Sequence, residues 1–156
     1  MDESVFTALC RAQLPAFFRM ACSILHSPAD AEDAVQQALM RAWQSRAKAH
    51  PGLERAWLMR IVINESLTIL RKRRRMLPTE DFPALAAPET DDSAALNDAI
   101  RALPESLRTP LLLKYMEGLT EKEVAAALQL PLSAVKNRLF RARKALQKQL
   151  NEEVSP

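Results

Sequence analysis

Six side chains within nine residues could read a polyanion: Lys136, Asn137, Phe140, Arg141, Arg143 and Lys144. Arg and Lys can donate to guanine O6 and N7, Asn can pair with adenine, and a phenyl ring can meet a thymine methyl. Such chemistry needs an element that presents the groups together. At about 100° per residue, a helix places Lys136, Asn137, Phe140, Arg141 and Lys144 over one side and Val135, Leu139, Ala142 and Leu146 along a narrow apolar seam. Arg143 is expected to meet phosphate whatever the sequence. Arg138 flanks the seam, where it meets phosphate or supports the fold. The plainer alternative is an amphipathic helix with a solvated basic face.

A second group is the run Arg71-Lys72-Arg73-Arg74-Arg75. Cations suit a helix C-terminus, but five in succession exceed what a helix end requires. Trp57 and Asn64 lie upstream on the same expected helix. Basic groups beside an aromatic suit separated strands, which expose stacking faces as well as phosphates.

Other chemistry has little support. Cys10, Cys22 and His26 have the spacing C-x11-C-x3-H, which matches no strong zinc pattern, so the cysteines read as reduced core thiols. There is no Ser-His-Asp set and no Gly-rich phosphate loop. His26 and His50 fall near expected loops, in solvated roles. No enzyme activity, cofactor or metal is expected.

The elements that must position these groups are helical. Only two glycines occur among 156 residues, and Ala, Leu, Glu, Lys and Arg dominate. A first helix spans Glu3 to Leu25, with Phe6, Leu9, Cys10 and Leu14, then Phe17, Phe18, Ala21 and Leu25, facing inward, and Pro15 kinks or restarts it. Ser27 caps a second helix that opens with Pro28, carries Asp30, Glu32 and Asp33 at its positive end, and runs through Ala34, Ala38 and Trp43. SRAKAHPG breaks the pattern. A third helix runs from Glu54 to Arg75, with Trp57, Leu58, Ile61, Leu67 and Leu70 as buried candidates.

Further on, helices are expected over about 94–103 and 105–117, the latter ended by Gly118. Thr120 and Glu123 form a capping box. Leu119, Val124, Ala127 and Leu128 face inward, Gln129-Leu130-Pro131 turns the chain, and Ser133 caps the last helix. A short helix, a tight turn and a basic helix is the helix-turn-helix arrangement. Gln129 stands where many such turns place glycine.

Charge divides the chain the same way. Residues 1–75 hold twelve bases and seven acids, residues 76–95 five acids and no base, and residues 96–156 ten bases and seven acids. The expected architecture is all-α: small helical domains over 1–75 and 94–150, joined by an acidic, Pro-containing linker over 76–93. The linker reads either as a passive spacer or as a strand that follows a basic groove. No apolar run approaches the ~20 residues that span a bilayer. The start MDESVFTALC carries acids where a signal peptide would carry bases. A cytoplasmic protein without membrane insertion is expected.

Two distant stretches point to one family. DAEDAVQQALMRAW followed by WLMRIVINESLTILRKRRR resembles region 2 of the bacterial sigma-70 family, and ALPESLRTPLLLKYMEGLTEKEVAAALQLPLSAVKNRLFRARKAL resembles its region 4. Their order and the short acidic linker are similar to the extracytoplasmic-function group. The resemblance implies a subunit that binds core RNA polymerase and directs it to promoters, held in check by an anti-sigma factor. It implies that Asp30, Asp33, Gln36 and Gln37 dock on the clamp helices of the β′ subunit, and that region 4 meets the β flap. The loop from Ser45 to Leu53, with Lys48 and His50, would capture a flipped −10 base. Asn64 and Arg71, Lys72, Arg73, Arg74 and Arg75 would handle −10 DNA. Ser133, Lys136, Asn137, Phe140, Arg141, Arg143 and Lys144 would enter the −35 major groove. The linker would run near the RNA exit channel. Two departures fall on the −10 side: Thr68 stands where the family usually has Asp, and SRAKAHPGLER lacks an aromatic often found before the Trp.

Two rival readings use the same residues. A repressor or activator would use the helix-turn-helix as a dimer on a palindrome, which leaves the DAED helix without a duty. An inactive decoy that only binds a regulator would not need the DNA-facing cations.

Overall fold

A computed structural model of the chain describes residues 1–76 and 94–154. The linker expected over 76–93 lies, apart from Met76, outside the described residues. Seven α-helices and a 3-10 turn make up the described residues, with no strand among them. They form two compact units. No helix among the described residues is long and apolar enough to cross a membrane.

The first unit is three helices that pack on one another: α1 (Glu3–Leu25), α2 (Pro28–Gln44) and α3 (Glu54–Met76). Asp2 caps α1 by accepting from the Ser4 N–H at 3.2 Å. His26 closes it in the left-handed region (φ 52), donating its N–H to the Cys22 carbonyl at 2.8 Å. Pro15 neither ends nor restarts α1, which runs on as one helix. The carbonyl of Arg11 loses its intrahelical donor there. Both residues lie exposed, so water can satisfy that carbonyl, while buried Phe17, Met20, Ala21, Ile24 and Leu25 hold the following turns.

Leu14 and Phe18, expected inward, are 44% and 39% exposed. A helix in a small bundle buries one stripe. The stripe on α1 is drawn through Phe6, Phe17, Met20, Ala21 and Ile24, which leaves those two on its flank. Ser27 caps α2 as expected, accepting from the Asp30 N–H at 3.2 Å. Ala31, Ala34, Val35, Ala38 and Ala42 form its buried face, small enough for close packing. Trp43 stays 37% exposed, its ring meeting that of Phe6 edge-on with the ring centres 5.3 Å apart. On α3, Trp57, Leu58 and Leu70 are buried, whereas Ile61 and Leu67 are only half-buried. Met59, Val62, Ile63 and Ser66 complete the face, the Ser66 hydroxyl donating to the Val62 carbonyl at 2.8 Å.

The remaining helices are α4 (Ala94–Ala102), α5 (Glu105–Tyr115), α6 (Glu121–Leu128) and α7 (Leu132–Val154). Leu103, Leu107, Leu111 and Ala142 form a core cluster, with Ile100, Ala145 and Leu146 packed against it. Val135, Leu139 and Ala142 are buried as the seam requires, and Leu146 is half-buried. Buried Arg108 donates to the carbonyls of Leu103 (3.1 Å), just past α4, and Arg101 (3.3 Å), in its last turn. Burial pulls its pKa below the usual arginine value, partly offset by nearby Glu105.

Pro110 sits inside α5 and cannot donate to the Ser106 carbonyl. Arg138 of α7 donates to that carbonyl at 3.4 Å instead, so of its two expected roles the structure shows fold support. The α5 helix ends two residues before the expected 117. The N–H of Glu117 bonds the Leu112 carbonyl at 3.1 Å, and Gly118 follows at φ 73.

Candidate nucleic-acid interface

The α6–α7 pair is built locally. Thr120 and Glu123 form the expected capping box, with bonds of 3.0 and 3.1 Å. Gln129 takes φ 55, a left-handed conformation that costs a side-chain-bearing residue about 1–2 kcal/mol. The Leu130 N–H bonds the Ala125 carbonyl at 3.0 Å across it, which closes α6. The α7 helix begins at Leu132, and the Pro131 carbonyl accepts from Ala134 and Val135. Ser133 is therefore an exposed residue of the first turn and not the cap, because the carbonyl one residue before Leu132 already starts the helical ladder.

Lys136, Asn137, Phe140, Arg141, Arg143 and Lys144 are all exposed. Phe140 is 52% exposed, and Lys144 places its ammonium 5.1 Å from the ring centroid. Arg143 donates to the Tyr115 hydroxyl at 2.9 Å. Lys114 pairs with Glu121 at 2.7 Å and lies 5.7 Å from the centre of the Tyr115 ring. Tyr115 was not singled out from the sequence: its link to Arg143 spans 28 residues, and no local pattern announces it.

In the first unit, Asp33, Gln36 and Gln37 are exposed on α2, and Asp33 and Gln36 stand three apart on one side. Asp30 differs. Its carboxylate takes a 2.6 Å bond from Arg73. Asn64 and Lys48 line a cavity of about 320 Å³ with Arg41, Ser45, Trp57, Arg60, Ile61 and Glu65. Arg41 pairs with Glu65, and Arg60 has a buried Nε without a hydrogen-bond partner. Three cations against one acid make a hollow that suits a nucleotide carrying its phosphate. Arg41, Arg60 and Glu65 were missed from sequence because each reads singly as a helix-surface charge.

His50 is exposed but does not line the cavity. The loop that carries it is shaped by a 3-10 turn over Arg46–Lys48 and by Gly52 at φ 84. The Glu54 carboxylate accepts from backbone N–H groups, its own first and that of Gly52 second, which hold it below the usual carboxylate range. The Arg46 guanidinium stacks 3.7 Å from the Trp43 ring centre. Of the basic run, Arg71, Lys72, Arg74 and Arg75 are exposed, while Arg73 turns inward. Among the described residues no group of three His, Cys, Asp or Glu side chains could hold a metal ion. Burial raises the pKa of both Cys10 and Cys22.

Residues 9–76 match the model of sigma-70 region 2, and residues 93–146 match that of sigma-70 region 4. The chain belongs to the sigma-70 family. Its curated relatives place this sigma factor in the extracytoplasmic-function group. One is the RNA polymerase sigma-H factor of Pseudomonas aeruginosa, 30% identical over 96% of this chain and 88% of the relative. Another is the ECF RNA polymerase sigma-E factor of Escherichia coli K12, 28% identical over 75% of this chain and 72% of the relative. Among solved structures, the sigma factor RpoE of Bartonella quintana, in complex with the anti-sigma factor NepR, superposes with a TM-score of 0.78. It is 28% identical, over 94% of this chain and 96% of that one. Both helical units of this sigma factor thus have counterparts in the family, and the chain is a transcription initiation factor.

Proposed function

We propose that this sigma factor uses each exposed surface for one step of promoter engagement. Asp33, Gln36 and Gln37 on α2 dock on the clamp helices of core RNA polymerase, and region 4 meets the β flap. The cavity that holds Lys48 and Asn64 takes a base of the melted −10 element, and the exposed cations at the end of α3 hold the strand. The outer arc of α7 enters the −35 major groove: Lys136, Asn137, Phe140 and Arg141 meet base edges, and Ser133, Arg143 and Lys144 meet phosphate. The domains divide at the acidic segment over 76–93, which threads toward the RNA exit channel or serves as a tether. The protein acts in the cytoplasm as a binding subunit without catalytic chemistry of its own.

The observation that carries this reading is the simultaneous exposure of the α2 acid–amide face and the α7 basic arc. A dimeric repressor would use only the second. Control by an anti-sigma factor is supported by the relative RpoE, solved with NepR. Exposed Leu14 and Phe18 are compatible with an additional covering partner. The test is core binding. Asp33→Arg with Gln36→Ala should weaken affinity for core polymerase about tenfold or more while leaving helicity intact, because charge reversal on a docking face costs more than lost contact area. Unchanged affinity would remove the assignment of α2.

A further inference from the structure

The last turns of α3 have a packing problem. Leu70 is the final buried residue of the helix, and Met76 is 79% exposed. Between them lie five consecutive cations whose mutual repulsion opposes an ordered helix, Arg71 and Arg75 being like charges four apart. Among the described residues, no side chain of this helix beyond Leu70 is fully buried, and a polar contact ties this end down. Arg73 donates through Nη1 and Nη2 to the Leu25 carbonyl at 2.8 and 3.0 Å, and through Nη2 to Asp30 Oδ2 at 2.6 Å. Leu25 ends α1, so its carbonyl lacks a helical donor and sits at the negative end of the dipole. Asp30 lies in the first turn of α2. One guanidinium therefore ties the end of α3 to the end of α1 and the start of α2. The Arg73 side chain is 13% exposed and that of Asp30 is 36% exposed.

We propose that Arg73 is a positioning residue that anchors the basic end of α3 to the α1–α2 corner and aims Arg71, Lys72, Arg74 and Arg75 at the −10 strand. It does not meet the strand itself, and Asp30 serves this anchor in place of docking on polymerase. The inference rests on the reading of the α3 end as a DNA surface. It deepens that reading by separating the cation that orients from the cations that touch. Planarity is what the site uses: a fork can bond a carbonyl and a carboxylate together, whereas an ammonium cannot span both in the same geometry.

The test combines amide hydrogen exchange on the full chain with holoenzyme binding to a fork-junction probe cut from a promoter it transcribes. Core affinity is measured alongside. Arg73→Lys keeps the charge and loses the fork. Asp30→Ala removes a negative charge, which by charge alone should tighten DNA binding. Both variants should speed exchange of the amides of 71–76 by roughly tenfold or more, and both should weaken fork-junction binding at unchanged core affinity. Wild-type behaviour of Arg73→Lys together with tighter binding by Asp30→Ala would make Arg73 an ordinary phosphate contact and overturn the proposal. Wild-type exchange in Asp30→Ala would likewise sink the anchor. The triple variant Arg71→Ala, Arg74→Ala, Arg75→Ala tests the underlying reading separately. If it binds the probe like wild type, the DNA role of this end fails, and the positioning role fails with it.

Discussion

Arg143 on α7 donates to the hydroxyl of Tyr115 on α5 at 2.9 Å, so a cation of the recognition helix is held by the element behind it. Arg141, one turn beyond Asn137 on the outer arc, is exposed. On the proposed reading Arg141 meets a base edge bidentately, and Arg143, held against α5, meets phosphate.

Arg141→Ala should therefore cost about 1–3 kcal/mol at the preferred −35 sequence and relax discrimination at one base position. Arg143→Ala should weaken binding to all sequences alike and flatten the salt dependence by about one unit of slope. Titration of a −35 duplex and its single-base variants at two salt concentrations checks both. Equal loss at every sequence for Arg141→Ala would show that this residue does not read bases.

Gln129 holds a left-handed turn with a side chain that the conformation penalises. Gln129→Gly should raise stability by roughly 0.5–1 kcal/mol, the relief of strain being partly offset by the greater freedom of glycine in the unfolded chain. Urea unfolding measures it, and a destabilised glycine variant would contradict this account of the turn.

Glu121 opens α6 and pairs with Lys114. The hydrogen bond from Lys114 is the main cause that lowers its pKa from 4.5, with further help from the charges of Lys114, Lys136 and Arg143. A carboxyl whose folded pKa lies below its unfolded value stabilises the fold fully above the unfolded value. That contribution is lost as pH falls through the folded pKa. Lys114→Met should thus narrow the stability gap between pH 7 and the region below pH 4.5, since there is less pairing left for acid to remove. Unfolding curves across that range would show it. A wild-type acid slope in Lys114→Met would mean that the pair contributes nothing measurable.

Local chemistry was legible in the sequence, and tertiary partnership was not. The Ser27 cap, the Thr120–Glu123 box and the Val135–Leu139–Ala142 seam each depend on residues within one or two turns, so their patterns carry them. The exposed arc of α7 follows from the same periodicity. Arg73 could not be sorted from its four neighbours, because its partners lie 43 and 48 residues away. Tyr115 was missed for the same reason. Leu14 and Phe18 were misplaced because α1 has more apolar residues than one buried stripe can use. Ser133 was misread as a cap because serine suits both a cap and a first turn, and the preceding proline decided between them.

The central claim, that this chain makes core polymerase select promoters, is tested most directly by run-off transcription with purified core enzyme on fragmented genomic DNA. The account predicts discrete transcripts that appear only when the chain is added. They should fall together in Asp33→Arg/Gln36→Ala, and Arg141→Ala should shift which templates are used. No transcript above core alone, from a chain that binds duplex DNA as a dimer, would contradict it.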